Sequence, residues 1–144
     1  MIDSPEFEQF NWMVDMVQNI DMGLIVVDRD FTVHMWNGFM VHHTGKHPNK
    51  VQGKSLFDVF PEINEAWFRA KCRPVFELKC RSFVVWKQRP YLFHCRNVRP
   101  ITGEANYMYQ NVTLNPMVNL RGEAQHMFIS VADVTGEALE QKHR

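Results

Sequence analysis

Two alternating stretches joined by a turn constrain this chain more than any other feature. From Tyr107 to Asn115, Met108, Gln110, Val112 and Leu114 share one side, and Tyr107, Tyr109, Asn111 and Thr113 share the other. A period of two is the mark of a strand with unlike faces. Asn119-Leu120-Arg121-Gly122 makes a hairpin turn, and Gln125 to Val134 is the final strand. Upstream, Ser82 to Trp86 and Tyr91 to Cys95 are both strand-like, with Pro90 between them. Periodicity does not choose the main third strand between these two. Pro100-Ile101-Thr102-Gly103 reads as a turn.

The first half mixes helix and strand. Ser4 is placed to cap a helix, Pro5 suits its first position, and Glu6 and Glu8 favour its positive end. Phe7, Phe10, Val14 and Val17 recur at three- and four-residue steps, which predicts an amphipathic helix of about four turns. Gly23 to Val27 is a short apolar strand, Asp28-Arg29-Asp30 turns it, and Phe31 to Trp36 alternates as a second. Strict alternation puts Phe31, Val33 and Met35 on one face, and Thr32, His34 and Trp36 on the other, outward one. Asn37 stands where a helix N-cap is wanted, and Gly45 and Pro48 end that helix. Val51 to Phe60 is short and irregular. Asn64 is placed to cap a longer helix through Phe68, Cys72, Phe76 and Cys80, with a kink or restart expected at Pro74.

The closing strand runs into Asp133-Val134-Thr135 and then a charged stretch from Gly136 to Arg144. A helix of about nine residues is marginal alone. It reads as the first turns of a connecting helix, with a missing effector domain expected beyond it. Asp133 and Thr135 are then signal-relay residues, their side chains capping the first free helix amides and fixing the exit angle.

Composition excludes more than it selects. The 144 residues carry no net charge, which argues against nucleic acid and anionic membrane as partners. No window approaches the roughly 18 apolar residues of a membrane span, and the acidic start is no secretory signal. Three cysteines without zinc-type spacing read as reduced thiols of a cytoplasmic protein. No G-x-S-x-G setting and no glycine-rich phosphate loop occurs, so the domain is read as non-catalytic. Cys72 lies between Lys71 and Arg73, whose charge would lower a thiol pKa, but a packed helix cysteine is the favoured reading. Gln110 on an apolar face must find a hydrogen-bond partner, either a ligand or Tyr91, Arg89 or backbone; the protein's own groups are favoured.

Taken in order, several pieces resemble a PAS sensor domain: Gly23-Leu24-Ile25-Val26-Val27-Asp28, Asn37 opening a helix, Gly45, Val51-x-Gly53, Leu56-Phe57-x-x-Phe60-Pro61, and Asp133-Val134-Thr135. The stretches Trp86-x-Gln88-Arg89-Pro90-Tyr91-Leu92-Phe93, Arg99 to Gly103 and Met108-Tyr109-Gln110-Asn111 are similar to PAS domains that precede GGDEF diguanylate cyclase domains in bacteria. The resemblance implies an α+β fold, with a five-stranded antiparallel sheet in the order 2-1-5-4-3 and helices across one face. It implies a division into an N-terminal dimerisation helix (1–20), the PAS domain (21–135) and the start of a connecting helix (136–144). It implies a sensory input domain whose effector is a diguanylate cyclase.

The ligand-cleft candidates are Met35, Phe57, Phe76, Tyr91, Met108, Gln110 and Val112, facing a possible small-molecule ligand. The homodimer candidates are Phe7, Phe10, Val14 and Val17 with Trp36. Haem-binding relatives take a histidine from the long helix, and residues 64 to 80 contain none, leaving His94 or a methionine. The light-sensing flavin cysteine run is absent. No cofactor and no metal is therefore expected, with a haem or flavin redox or gas sensor as the alternative. A small α+β ligand-binding protein or enzyme is the other.

Overall fold

The computed structural model describes residues 4–95 and 107–142. Among these residues five strands and six helices follow in the order α1 (Pro5–Asn19), β1 (Gly23–Asp28), β2 (Val33–Trp36), α2 (Gly38–Thr44), α3 (Pro48–Val51), α4 (Leu56–Val59), α5 (Glu65–Glu77), β3 (Ser82–Val84), β4 (Gln110–Val118), β5 (Ala124–Asp133) and α6 (Thr135–Lys142). The strands form one antiparallel sheet in the order β2-β1-β5-β4-β3. The expected turn at Pro100 to Gly103 lies outside the described residues.

Alternation buries one face of the sheet. Ile25, Val27, Val112, Leu114, Ile129 and Val131 point inward, and Phe68, Cys72, Val75 and Phe76 of α5 close over them. Phe31 sits at the middle of this packing. Its ring lies against Phe57, Phe68 and Phe76, at centroid distances of 5.3, 5.8 and 6.1 Å. Its backbone is left-handed, φ 64°. The β1–β2 turn holds it there, with Asp28 Oδ1 accepting from the Asp30 and Thr32 amides. Asp28 also takes a 2.8 Å bond from His34 Nε2. Partial burial pushes its carboxyl up, but the His34 and backbone bonds outweigh this and hold it below its ordinary 3.8.

Three details differ from the sequence reading, and a fourth decides a choice it left open. First, β2 contains a bulge: Met35 pairs with Val26 and Val33 with Val27, so His34 is an extra residue without a partner in register. The bulge inverts the pattern after it. Trp36, expected outward, is buried with its indole N–H donating to the Lys46 carbonyl, and Met35, expected inward, lies on the outer side. Second, α5 does not restart at Pro74: it continues through it to Glu77 and ends before Cys80. Third, the short helix α4 lies inside the stretch from Val51 to Phe60 read as irregular, and Pro48, read as a helix stop, opens α3.

Fourth, the third strand is Ser82–Val84, paired with Leu114–Val112. Residues 91–95 form no strand, and at 92 and 93 a side chain takes the place of a ladder partner. Gln110 Oε1 accepts from the Leu92 and Phe93 amides, and its Nε2 donates to the Phe93 carbonyl at 2.7 Å. The partner that Gln110 needs is backbone.

Chain entry and exit are neighbours. β1 opens at Gly23 opposite Val131, two residues from the end of β5. So α1 enters and α6 leaves at one end of two adjacent central strands.

Candidate functional site

Three places are candidates for a functional site: the seat of α1, the junction with α6, and a surface cleft beside α5.

Helix α1 begins as its sequence dictates, with Ser4 Oγ accepting from the Phe7 amide and Pro5 in the first turn. None of its residues is buried. Phe10 is 58% exposed, and Phe7 and Val14 about equally so at 42% and 41%. Phe10, Val14 and Val17 with Met13 and Met35 line a wholly apolar groove of about 210 Å³. Trp36, grouped with these residues from the sequence, is not among them; the bulge exchanges it for Met35.

The far end of α1 is held firmly. Asn37 Nδ2 donates to the Val17 carbonyl at 2.8 Å and to the Met22 carbonyl at 2.9 Å. Its Oδ1 accepts from the Leu24 amide and, at 3.5 Å, from the Met40 amide. The sequence identifies Asn37 as a cap for α2; that it also ties α1 to β1 involves contacts no local pattern encodes. A Cβ on Gly38 would collide with the Gln18 carbonyl, so α1 needs glycine there to sit where it does.

At the other end, Asp133 and Thr135 divide their work differently from the expected pair of caps. Asp133 Oδ1 accepts from both the Thr135 amide (3.0 Å) and the Thr135 hydroxyl (2.6 Å). The Thr135 hydroxyl in turn accepts from the Tyr109 amide at 3.0 Å. Thr135 is thus the buried first residue of α6 rather than its cap, and it bolts the helix to the sheet. Tyr109 is the other half of the bolt. Its carbonyl accepts from the Val134 amide, and its hydroxyl takes a 2.6 Å bond from Lys142 Nζ. That bond, with a weaker one from Tyr107, holds the Tyr109 phenol below its ordinary value; donating to Tyr109 holds the Tyr107 phenol above its own. Alternation places Tyr109 on the outward face, yet it is 4% exposed, because Trp86, Tyr107 and Lys142 cover it.

The residues expected to face an interior cleft separate. Phe76, Met108, Gln110 and Val112 are buried in the packed core, and Phe57 is half-buried against Phe31 and Phe68. Tyr91 is half-buried and lines a surface cleft of about 340 Å³ with Glu62, Trp67 and Arg89. Burial pushes the Cys72 thiol up to about 12, against the opposing charge of Lys71, and the Cys95 thiol likewise. Both stay protonated, so neither is a nucleophile. His94 is exposed, its ring against Tyr91 and Tyr107.

A five-stranded antiparallel sheet of this order, helices over one face and a bolted exit helix define a class of domain as well as a shape. The chain belongs to the PAS fold family, whose model matches residues 17–139. The match starts at Val17, whose carbonyl Asn37 holds, so most of α1 precedes it. PAS domains are generally non-catalytic sensory modules of signalling proteins. No curated protein matches the sequence.

Among solved structures, the chain is similar to a sensory box sensor histidine kinase from Vibrio cholerae (22% identity, 89% of this chain and 93% of that one, TM-score 0.62). It is also similar to the PAS domain of an HTR-like protein from Haloarcula marismortui (19%, 88% and 97%, TM-score 0.59). An RNA-binding light-oxygen-voltage receptor matches over 96% of this chain and 38% of its own length, at 18% identity and TM-score 0.63. At these identities the likeness is one of fold. Among the described residues no helix is long and apolar enough to cross a membrane.

Proposed function

We propose that this chain is a cytoplasmic sensory input domain that dimerises through α1 and relays its state through α6 to an effector, a diguanylate cyclase being the effector expected. The observation that carries the reading is the bolt between α6 and β4. A helix fixed to a central strand by Tyr109, Asp133 and Thr135 transmits any shift of that strand as a change of exit angle. The groove of Phe10, Met13, Val14, Val17 and Met35 supports the dimer. A fifteen-residue helix with no buried residue is marginal alone, and a second copy of the same stripe covers it with matching chemistry. The domain is read as colourless, since no histidine lies between residues 64 and 80.

The test uses the protein with its effector attached. Thr135→Ala and Asp133→Ala should keep folding and dimerisation near normal and change diguanylate cyclase activity or its response to stimulus. Unchanged activity and response in both variants would leave α6 as a stabilising cap only. Deleting residues 1–18 should give a monomer or insoluble protein; a soluble dimer by light scattering after that deletion removes α1 as the interface. A Soret band or flavin absorption in protein expressed with cofactor supply favours the haem or flavin alternative.

A further inference from the structure

Arg89 sits over the Trp67 indole, its guanidinium carbon 3.7 Å from the ring centroid. Among the described residues the guanidinium makes no hydrogen bond, so the stack fixes its plane and leaves its N–H edges to be satisfied. A planar fork held this way matches a carboxylate, which it can take with two parallel bonds. The cleft beside it measures about 340 Å³, the small end of ligand-sized pockets. Most of its other walls are flat or apolar, Trp67 and Tyr91 with buried Ile63 and Leu92, and Asn64 adds an amide whose oxygen accepts from the Trp67 amide. The remaining charged group is Glu62, one of whose oxygens is occupied by the His94 amide at 2.9 Å. One cation and one carboxylate suit a singly charged anion and disfavour a phosphate dianion, which would face Glu62.

We propose that this cleft binds a small planar monocarboxylate, its carboxylate on the Arg89 fork and its flat body against Trp67 and Tyr91. The site lies apart from the packed interior of Phe76, Met108 and Val112. It also has a physical line to the exit helix. The Tyr91 ring contacts Tyr107 at 4.9 Å, Tyr107 contacts Tyr109 at 5.1 Å, and Tyr109 holds α6 through Thr135, Val134 and Lys142. An occupant that shifts Tyr91 therefore disturbs a continuous run of rings ending on α6. This second half rests on the reading of α6 as the output; the binding half does not.

Benzoate is the probe, titrated into the 144-residue chain and followed by two-dimensional NMR. Saturable shifts of the Trp67 indole N–H are expected, identified through their loss in Trp67→Phe. Benzyl alcohol, of the same shape without the charge, should bind at least about tenfold more weakly. Arg89→Gln should weaken benzoate by a similar factor. Arg89→Lys, which keeps the charge and the fold, should weaken it as well, because an ammonium offers no fork. No saturable shift by about 10 mM benzoate overturns the site. So does unchanged binding in Arg89→Gln, or inorganic phosphate binding as tightly as benzoate.

The coupling has its own outcome. Benzoate should also move the Lys142 amide, and Tyr107→Ala should abolish that response while the Trp67 shift persists. A silent Lys142 in the parent, or one that still responds in Tyr107→Ala, breaks the line to α6. Neither result depends on an effector, so failure here is distinct from failure of the sensory reading.

Discussion

Helices α1 and α5 have similar length and the same kind of apolar periodicity, yet they sit in opposite circumstances. α5 buries Phe68, Cys72, Val75 and Phe76 against the sheet; α1 buries nothing and, among the described residues, is held at its C-terminal end. An apolar stripe tells that a helix needs a cover, not what supplies it. For α5 the cover is the domain itself. For α1 the described part of the domain supplies no such cover, and the fastening it gives is polar, at Asn37.

The sharpest way to break this contrast is to truncate one aromatic on each helix. Phe68→Ala removes a fully buried ring and should cost about 3–5 kcal/mol in chemical denaturation. Phe10→Ala should change the stability of the isolated fold by no more than about 0.5 kcal/mol. Similar losses in both would mean that α1 belongs to the domain's own core.

The fastening comes next. Asn37→Ala leaves the Val17 and Met22 carbonyls and the Leu24 amide without their side-chain partner, and should cost about 1–3 kcal/mol. Hydrogen exchange should quicken along α1 while α5 keeps its protection. Gly38→Ala should do the same by pushing Gln18 away. Faster exchange in α5 in either variant would show that the two helices are not independently seated.

α6 is the intermediate case, short but bolted. Thr135→Val keeps the shape and removes the hydroxyl, and should cost about 1 kcal/mol. The Tyr109 amide should lose exchange protection first; an unchanged Tyr109 amide would deny the bolt.

The smallest effect is expected from acid. Asp28 fixes the turn that lowers Phe31 onto Phe68 and Phe76, so it belongs to the α5 side of the comparison. Its carboxyl is held below 3.8, so its contribution is fully present above that value and is lost as pH falls through the lower folded one. Stability measured from about pH 5 to pH 2 should therefore fall less steeply in Asp28→Asn than in the parent. An equal slope would remove Asp28 from the acid response.

Local chemistry in the sequence reached most of the frame. The caps at Ser4, Asn37 and Asn64 and the hairpin at Asn119 to Gly122 follow from residues a few positions apart, and all four form. What escaped depends on distant partners or on one-residue irregularities. A period-two count cannot see that His34 is supernumerary, so it exchanged Met35 and Trp36. Nor can it see that the Gln110 side chain satisfies backbone 17 and 18 residues away and takes the place of a ladder partner at 92 and 93. Tyr109 looked solvent-facing because the groups that cover it come from Trp86 and from α6. Arg89 and Trp67 belong to separate segments, and nothing local in either announces the stack.

The neighbouring positions of Gly23 and Val131 carry a consequence for how such a domain can be spliced into larger architectures. Adjacent strands are about 4.8 Å apart, so the polypeptide comes back almost to where it entered. The fold is a side loop on a pair of helices, not a spacer between them. Grafted into a host at two closely spaced points, it would add a hanging module without lengthening the host, and twisting β1 against β5 would turn both attachment helices at once.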